Sequence, residues 1–242
     1  MFAFFCSQNQ VLAIGIAGIR TGRYDSGAPR KYWKAIRLVV RDDADWKTRL
    51  RGTPFGDILI EMGQGYVKAA TDDVERFHAN SLLTMFAYLA GDFTLASKAL
   101  TAAGGQVHPV IGPELNIFGL ERDEMTADIL LRREGLTEPF NEAVEAWENR
   151  SYAKGIELAN SIAEVFDEVP LTLRHLIVQL DVESRLAKGE EVVLPIKPGL
   201  PGWRADSGHM VERDGKMVTH GLNFHTPYFL LARVGKDFEL SY

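Results

Sequence analysis

A chain of 242 residues with a net charge of −6 and a pI near 5.6 lacks the broad basic face that phosphate neutralisation demands, which argues against a general nucleic-acid binder. Its 46% hydrophobic and 25% charged residues are the balance of a globular protein in water, with chain enough for a substantial core. The single cysteine, Cys6, excludes an intrachain disulfide and a multi-cysteine zinc site; it fits a reducing compartment, so a cytoplasmic location is expected.

Residues 1–19 are apolar without a clean period, so a strand and a buried helix both fit. Ser7-Gln8-Asn9-Gln10 splits the run and no basic segment precedes it, which matches neither a secretory signal nor a membrane span. A turn-rich link, Arg20 to Ala28, leads to Pro29 in the first turn of a helix carrying Tyr32, Trp33, Ile36, Val39 and Val40 on one side. Lys31, Lys34, Arg37 and Arg41 give that helix a basic flank, either a solvated face or a partner contact. Thr53-Pro54 reads as an N-cap with proline at the first helical position, opening a stripe of Phe55, Ile58, Leu59, Met62 and Tyr66. The glycines of GDILIEMGQG do not make a phosphate loop, because no Gly-Lys-Ser/Thr follows.

Asp73 to Gly104 organises the rest. Val74, Phe77, Leu82, Met85, Phe86 and Leu89 trace one helical face, Gly91-Asp92 breaks it, and Phe93, Ala96 and Leu100 resume it until Gly104-Gly105. A two-residue break makes the helices antiparallel, an αα-hairpin. Burial is expected for Phe77, Met85, Phe86, Leu89, Phe93 and Leu100.

Gln106 to Gly119 reads as a loop or short turn. A helix follows over Glu121 to Arg133, stopping at Gly135. Thr137 is read as the cap of the next, with Pro139 in its first turn and Phe140, Val144 and Trp147 inside. Its hairpin partner spans Ser151 to about Glu168, ended by Pro170. Leu173, Leu176, Ile177, Leu180 and Leu186 line one more helix, closed by Lys188-Gly189.

Beyond Gly189 the pattern changes. Val192 to Ile196 is a β-prone run. Asp214-Gly215 between Met210–Arg213 and Lys216–Thr219 is a β-hairpin signal, and Pro227 to Val234 reads as a closing helix. The expected fold is mainly α: packed antiparallel helical hairpins in one domain, 1–242, with a helical core over about 29–189 and an irregular, β-hairpin segment over 190–242.

AYLAGDFTLASKAL resembles the middle of a tetratricopeptide repeat, a family in which an aromatic follows the inter-helix turn and a small residue comes three positions later. Phe93 and Ala96 fill those places, and Tyr152 and Gly155 repeat the relation in AVEAWENRSYAKGIELANSI. Tyr152 comes 59 residues after Phe93, against a family period of about 34, so a regular array is not expected. What the resemblance implies is a local hairpin, or a scaffold or regulator that binds peptides in a helical groove.

In type, as a compact, acidic, mostly helical chain without cofactor, the sequence is similar to the bacterial immunity proteins that neutralise polymorphic or type VI secreted toxins. The resemblance implies a protein-binding module that occludes a toxin's active site, with a basic toxin domain as partner and no enzymatic activity. It implies no membrane association and is compatible with a homodimer. No signature residue is shared, so it assigns none.

The alternative is an enzyme. Three of the six histidines, His209, His220 and His225, fall in one polar stretch. Across a turn at Asp214-Gly215, His209 and His220 face each other, and with Asp206 or Glu212 they form a candidate for metal binding or acid–base work. No zinc motif such as HExxH accompanies them. His78 and His175 read as core or rim residues of amphipathic helices, and His108 as a loop residue. Ser81 and Ser97 lack a nucleophile elbow. The acidic runs Asp42-Asp43-Asp45 and Asp72-Asp73-Glu75 sit where helix starts favour negative charge.

Overall fold

The computed structural model describes residues 8–40, 45–190, 192, 203–205, 209–213, 216–220 and 228–230, the last four segments as backbone only. The chain divides by its contacts into two units, Met1–Arg133 and Glu134–Tyr242. Both are built largely from paired helices.

In the first unit the run after Ser7 settles as a helix, α1 (Gln8–Arg20), which packs along α2 (Ala28–Val40). The approach is close because Gly15 and Gly18 present no side chain: a Cβ on Gly18 would stand 2.6 Å from that of Ala28. After the short α3 (Trp46–Leu50), α4 (Pro54–Ala69) starts at the expected cap, the Gly56 amide donating to the Thr53 hydroxyl. α5 (Asp73–Ala90) is capped by Asp72, whose carboxylate accepts from the Glu75 amide at 2.7 Å. Gly91 then takes a left-handed φ of 86°, and Asp92 accepts from the Leu95 amide to open α6 (Phe93–Ala102). This is the αα-hairpin expected from the sequence, with α4 packed against α5 as well.

Met85, Phe86, Leu89 and Leu100 are buried, as their spacing requires. Phe77 and Phe93 are only half-buried, and Val74 is 73% exposed. Phe93 packs against the core and meets Tyr88 edge-on, and the guanidiniums of Arg51 at 5.3 Å and Arg132 at 4.2 Å cover part of the ring that remains. Val74 belongs to the exposed first turn of α5.

Gln106 to Gly119 is not merely a loop. It forms a 3₁₀ turn (Pro109–Ile111), α7 (Gly112–Leu115) and a second 3₁₀ turn (Asn116–Phe118). Val107, Ile111, Leu115 and Phe118 enter the core, where Phe118 stacks on Trp33 and meets Trp46 edge-on. α8 (Arg122–Arg133) packs on α6 and α5. Its Asp128 accepts from the Tyr88 hydroxyl at 3.0 Å.

The second unit contains α9 (Thr137–Glu148), α10 (Tyr152–Ala163) and α11 (Leu171–Ala187), packed α9 on α10 and α10 on α11. Three boundaries differ from expectation. Leu136, not Thr137, holds the cap position, without a side-chain bond. α10 stops at Ala163, five residues short of Glu168, and Pro170 begins α11 rather than ending α10. Gly155 is buried on α10 so close to Leu180 that a Cβ there would meet its side chain at 2.6 Å. Further on, Trp203–Ala205, His209–Arg213, Lys216–His220 and Tyr228–Leu230 are extended, β1 to β4, with β1 paired to β4 and β2 to β3, all antiparallel. The closing helix expected over 227–234 is therefore not formed at Tyr228–Leu230; a short aromatic–aliphatic run has no period to distinguish helix from strand. Most of Val192–Ile196, and the Asp214-Gly215 turn, lie outside the described residues. No described helix is long and apolar enough to cross a membrane.

Candidate functional site

Three stretches far apart in sequence converge in the first unit. On α2, Arg30, Trp33, Lys34 and Arg37 recur at helical spacing and so share one stripe. On α5, His78, Leu82 and Phe86 do the same, as do Met62 and Tyr66 on α4. With Val110, Ile111 and Glu114 from the turn-rich segment, these side chains line a cavity of about 200 Å³. Trp33, Met62, Phe86 and Ile111 are buried, whereas Arg30 and Lys34 are exposed. The cavity thus has an apolar, aromatic floor and cations at its solvent side.

One charge pair is already closed. Glu114 accepts from the Trp33 indole N–H at 2.8 Å and from Arg37 at 2.7 Å, through the same oxygen. That bond pins the indole, which also meets Phe86 edge-on at 5.2 Å. Arg30 and Lys34 have no carboxylate partner among the described residues. Among the described residues the buried Tyr66 hydroxyl makes no hydrogen bond of good geometry, although the Arg30 guanidinium lies close enough to act on it. Burial pushes its phenol pKa up, and the nearby positive charge of Arg30 opposes the rise.

His78 and His108 meet here, their rings 5.3 Å apart. His108 is tied down on three sides: its amide donates to Ser81 Oγ, its Nδ1 accepts from the Val110 amide, and its ring lies against Phe77. His78 is half-buried, and its pKa is lowered by burial first, then by His108 and Arg30. A neutral imidazole beside two cations that have no carboxylate among the described residues can accept or donate a hydrogen bond without cancelling their charge. Such a cavity can hold an anionic group attached to an apolar body.

The histidines singled out from the sequence lie elsewhere. The backbone register sets His209 opposite His220 and Glu212 opposite Met217, while His225 and Asp206 lie outside the described residues. No group of three or more potential metal ligands occurs among the described residues. His175 lies half-buried on α11. Ser81 is fully buried and bonds the Phe77 carbonyl, and so is not presented as a nucleophile. Sequence reasoning placed Lys34 and Arg37 on a basic flank but missed the convergence of α2, α5 and 108–114. In the second unit it missed Glu183, a buried carboxylate that accepts from Trp147 Nε1 at 3.0 Å and the Tyr152 hydroxyl at 3.3 Å.

Fold and site together define a protein of paired helices with a cation-edged aromatic cavity. Comparison with protein-family models, with curated proteins and with solved structures returned no match.

Proposed function

We propose that this chain works by binding another protein non-covalently, with the cavity of its first unit as a docking point. The supporting observation is the pair Arg30 and Lys34, cations without carboxylate partners among the described residues, beside the buried surfaces of Trp33 and Phe86. Charge-assisted contact at a partly desolvated aromatic floor is the combination that anchors interfaces. The biological role proposed is that of an immunity protein of the mostly helical type, which binds a cognate bacterial toxin of a polymorphic or type VI system in the cytoplasm and occludes its active site. The tetratricopeptide-like hairpins and a closing β-hairpin at Asp214-Gly215 belong to the same proposal.

The test is co-purification with the product of an adjacent toxin-like reading frame. A stable complex is expected, with the double variant Arg30→Glu/Lys34→Glu weakening it by at least about tenfold. A complex indifferent to that variant removes the cavity from the interface; absence of any complex or protection removes the immunity role.

A second reading is a metal-dependent or acid–base enzyme, favoured by the register that sets His209 against His220. Metal analysis of the purified protein decides it. Stoichiometric zinc or iron, lost in the variant with His209, His220 and His225 all changed to Ala, supports the enzyme; metal-free protein counts against a metal centre.

A further inference from the structure

We propose that the cavity between α2, α4, α5 and the 108–114 segment is a recognition site for an aromatic monocarboxylate: one flat ring carrying one carboxylate. The inference deepens the docking reading above and rests on it only in taking the cavity to be a binding site.

Size comes first. A dry cavity of about 150 Å³ accepts a benzene ring in a helical protein, so about 200 Å³ has room for one ring with a small substituent that reaches the solvent side. Shape follows from the walls. Trp33, Tyr66, His78 and Phe86 are all flat rings, and Trp33 and Phe86 already meet edge-on. A third ring inserted there finds edges and faces to pack against. Charge decides the substituent. Glu114 satisfies Arg37, leaving Arg30 and Lys34 as the lining cations without a carboxylate among the described residues. A carboxylate accepts from both. A phosphate dianion, by contrast, is normally held by backbone amides or several guanidiniums together, and here Arg37 is held by Glu114, which leaves Arg30 as the lining guanidinium without a carboxylate among the described residues.

Such a carboxylate can come from a free aromatic acid or from a protein chain ending in an aromatic residue. Two arms separate these sources. In the first, phenylacetate is titrated into the full-length protein while the Trp33 indole N–H resonance is followed; that proton is fixed on Glu114 and reports directly on the floor. Saturable movement is expected. The neutral phenylacetamide, and phenylacetate with the Arg30→Gln/Lys34→Gln variant, should each bind at least about tenfold more weakly. Both changed residues are exposed, and an unaltered unfolding midpoint checks that the fold is kept. Phenyl phosphate binding more tightly than phenylacetate overturns the carboxylate assignment. Absence of saturation, or equal binding of the amide, overturns the site.

In the second arm a short peptide with a free C-terminal phenylalanine is compared with its amidated form. Tighter binding of the free peptide than of phenylacetate assigns a protein terminus, and weaker binding assigns a free acid. The two proposals fail separately. If Arg30→Glu/Lys34→Glu disrupts a protein complex but phenylacetate does not bind, the ligand class falls and docking stands. If phenylacetate binds and the complex ignores the variant, docking falls.

Discussion

His78 links the cavity to pH. Facing it are Arg30, Lys34 and Arg37 from α2, Tyr66 from α4, and His108 and Glu114 from the turn-rich segment. Burial, His108 and Arg30 disfavour its imidazolium, so the folded pKa lies below the ordinary 6.5. The unfolded chain therefore takes up this proton more readily than the folded one. The contribution of neutral His78 to stability is fully present above about pH 6.5 and is lost as pH falls through the lowered folded value. Urea unfolding at several pH values between about 7 and 5 should show this loss, and His78→Gln should flatten it. An unchanged slope in the variant would mean that other groups set the acid limit. In the second unit, Glu183 is 3% exposed and serves Trp147 and Tyr152 together. Glu183→Ala removes the acceptor shared by two half-buried donors and should cost about 1–2 kcal/mol; Glu183→Gln retains an acceptor oxygen and should cost roughly half that. Equal losses would show that the bonds contribute little beyond packing.

The helical pairs depend on glycine in the opposite sense to helix propensity. Alanine at Gly56 or Gly63 of α4 gains up to about 1 kcal/mol of intrinsic preference. Yet a Cβ at Gly63 would stand 3.0 Å from Leu83 Cα, and one at Gly56 would overlap the Leu50 carbonyl oxygen, both backbone atoms that cannot swing aside. Overpacking of this kind costs about 1–3 kcal/mol, so the clash wins at both positions and more heavily at Gly56. Gly112→Ala, with φ −52° and open space around it, is the control and should be neutral or slightly stabilising. Thermal unfolding of the three variants reads this order; a stabilised Gly56→Ala would refute the close approach of α4 to its neighbours.

These glycines also show where the sequence could be read. Thr53, Asp72, Gly91 and Asp92 announced their helix ends because capping and left-handed turns demand those residue types locally. Gly56 and Gly63 carry no such local signal, since the neighbours that require them, α5 and Leu50, are invisible to a local reading. Gln106 to Gly119 reads as a loop or short turn because its glycines and prolines hide Ile111, Leu115 and Phe118. The cavity was beyond reach for a related reason. Arg30, His78 and Glu114 come together only through the packing of α2, α5 and α7, and no spacing along the chain encodes that.

The core cluster from Ile19 to Ile129 lies wholly within Met1–Arg133. A fragment of that length buries enough surface to fold alone. Residues 1–133 should therefore unfold cooperatively and keep the Trp33 indole resonance in its Glu114-bonded position. Loss of that resonance, with helical circular dichroism retained, would mean that the cavity depends on residues after 133.

Charge is distributed unevenly between molecule and site. The chain carries −6 overall, yet the proposed docking point offers Arg30 and Lys34. A partner that suits both is basic on average, so that the long-range field draws it in, and carries an aromatic carboxylate at the point of contact. The two effects respond differently to salt. Steering acts beyond a Debye length of about 8 Å at physiological ionic strength and is screened away. Contact inside the cavity is shorter in range and partly desolvated, and so resists screening. For a cognate basic protein, the association rate should fall about tenfold or more between roughly 0.02 and 0.5 M NaCl, with a much smaller change in dissociation rate. Arg30→Gln/Lys34→Gln should do the reverse, raising the dissociation rate while leaving the salt slope of association nearly unchanged. A variant that altered the slope instead would place these cations in the steering field rather than in the contact, and the cavity would lose its role in docking.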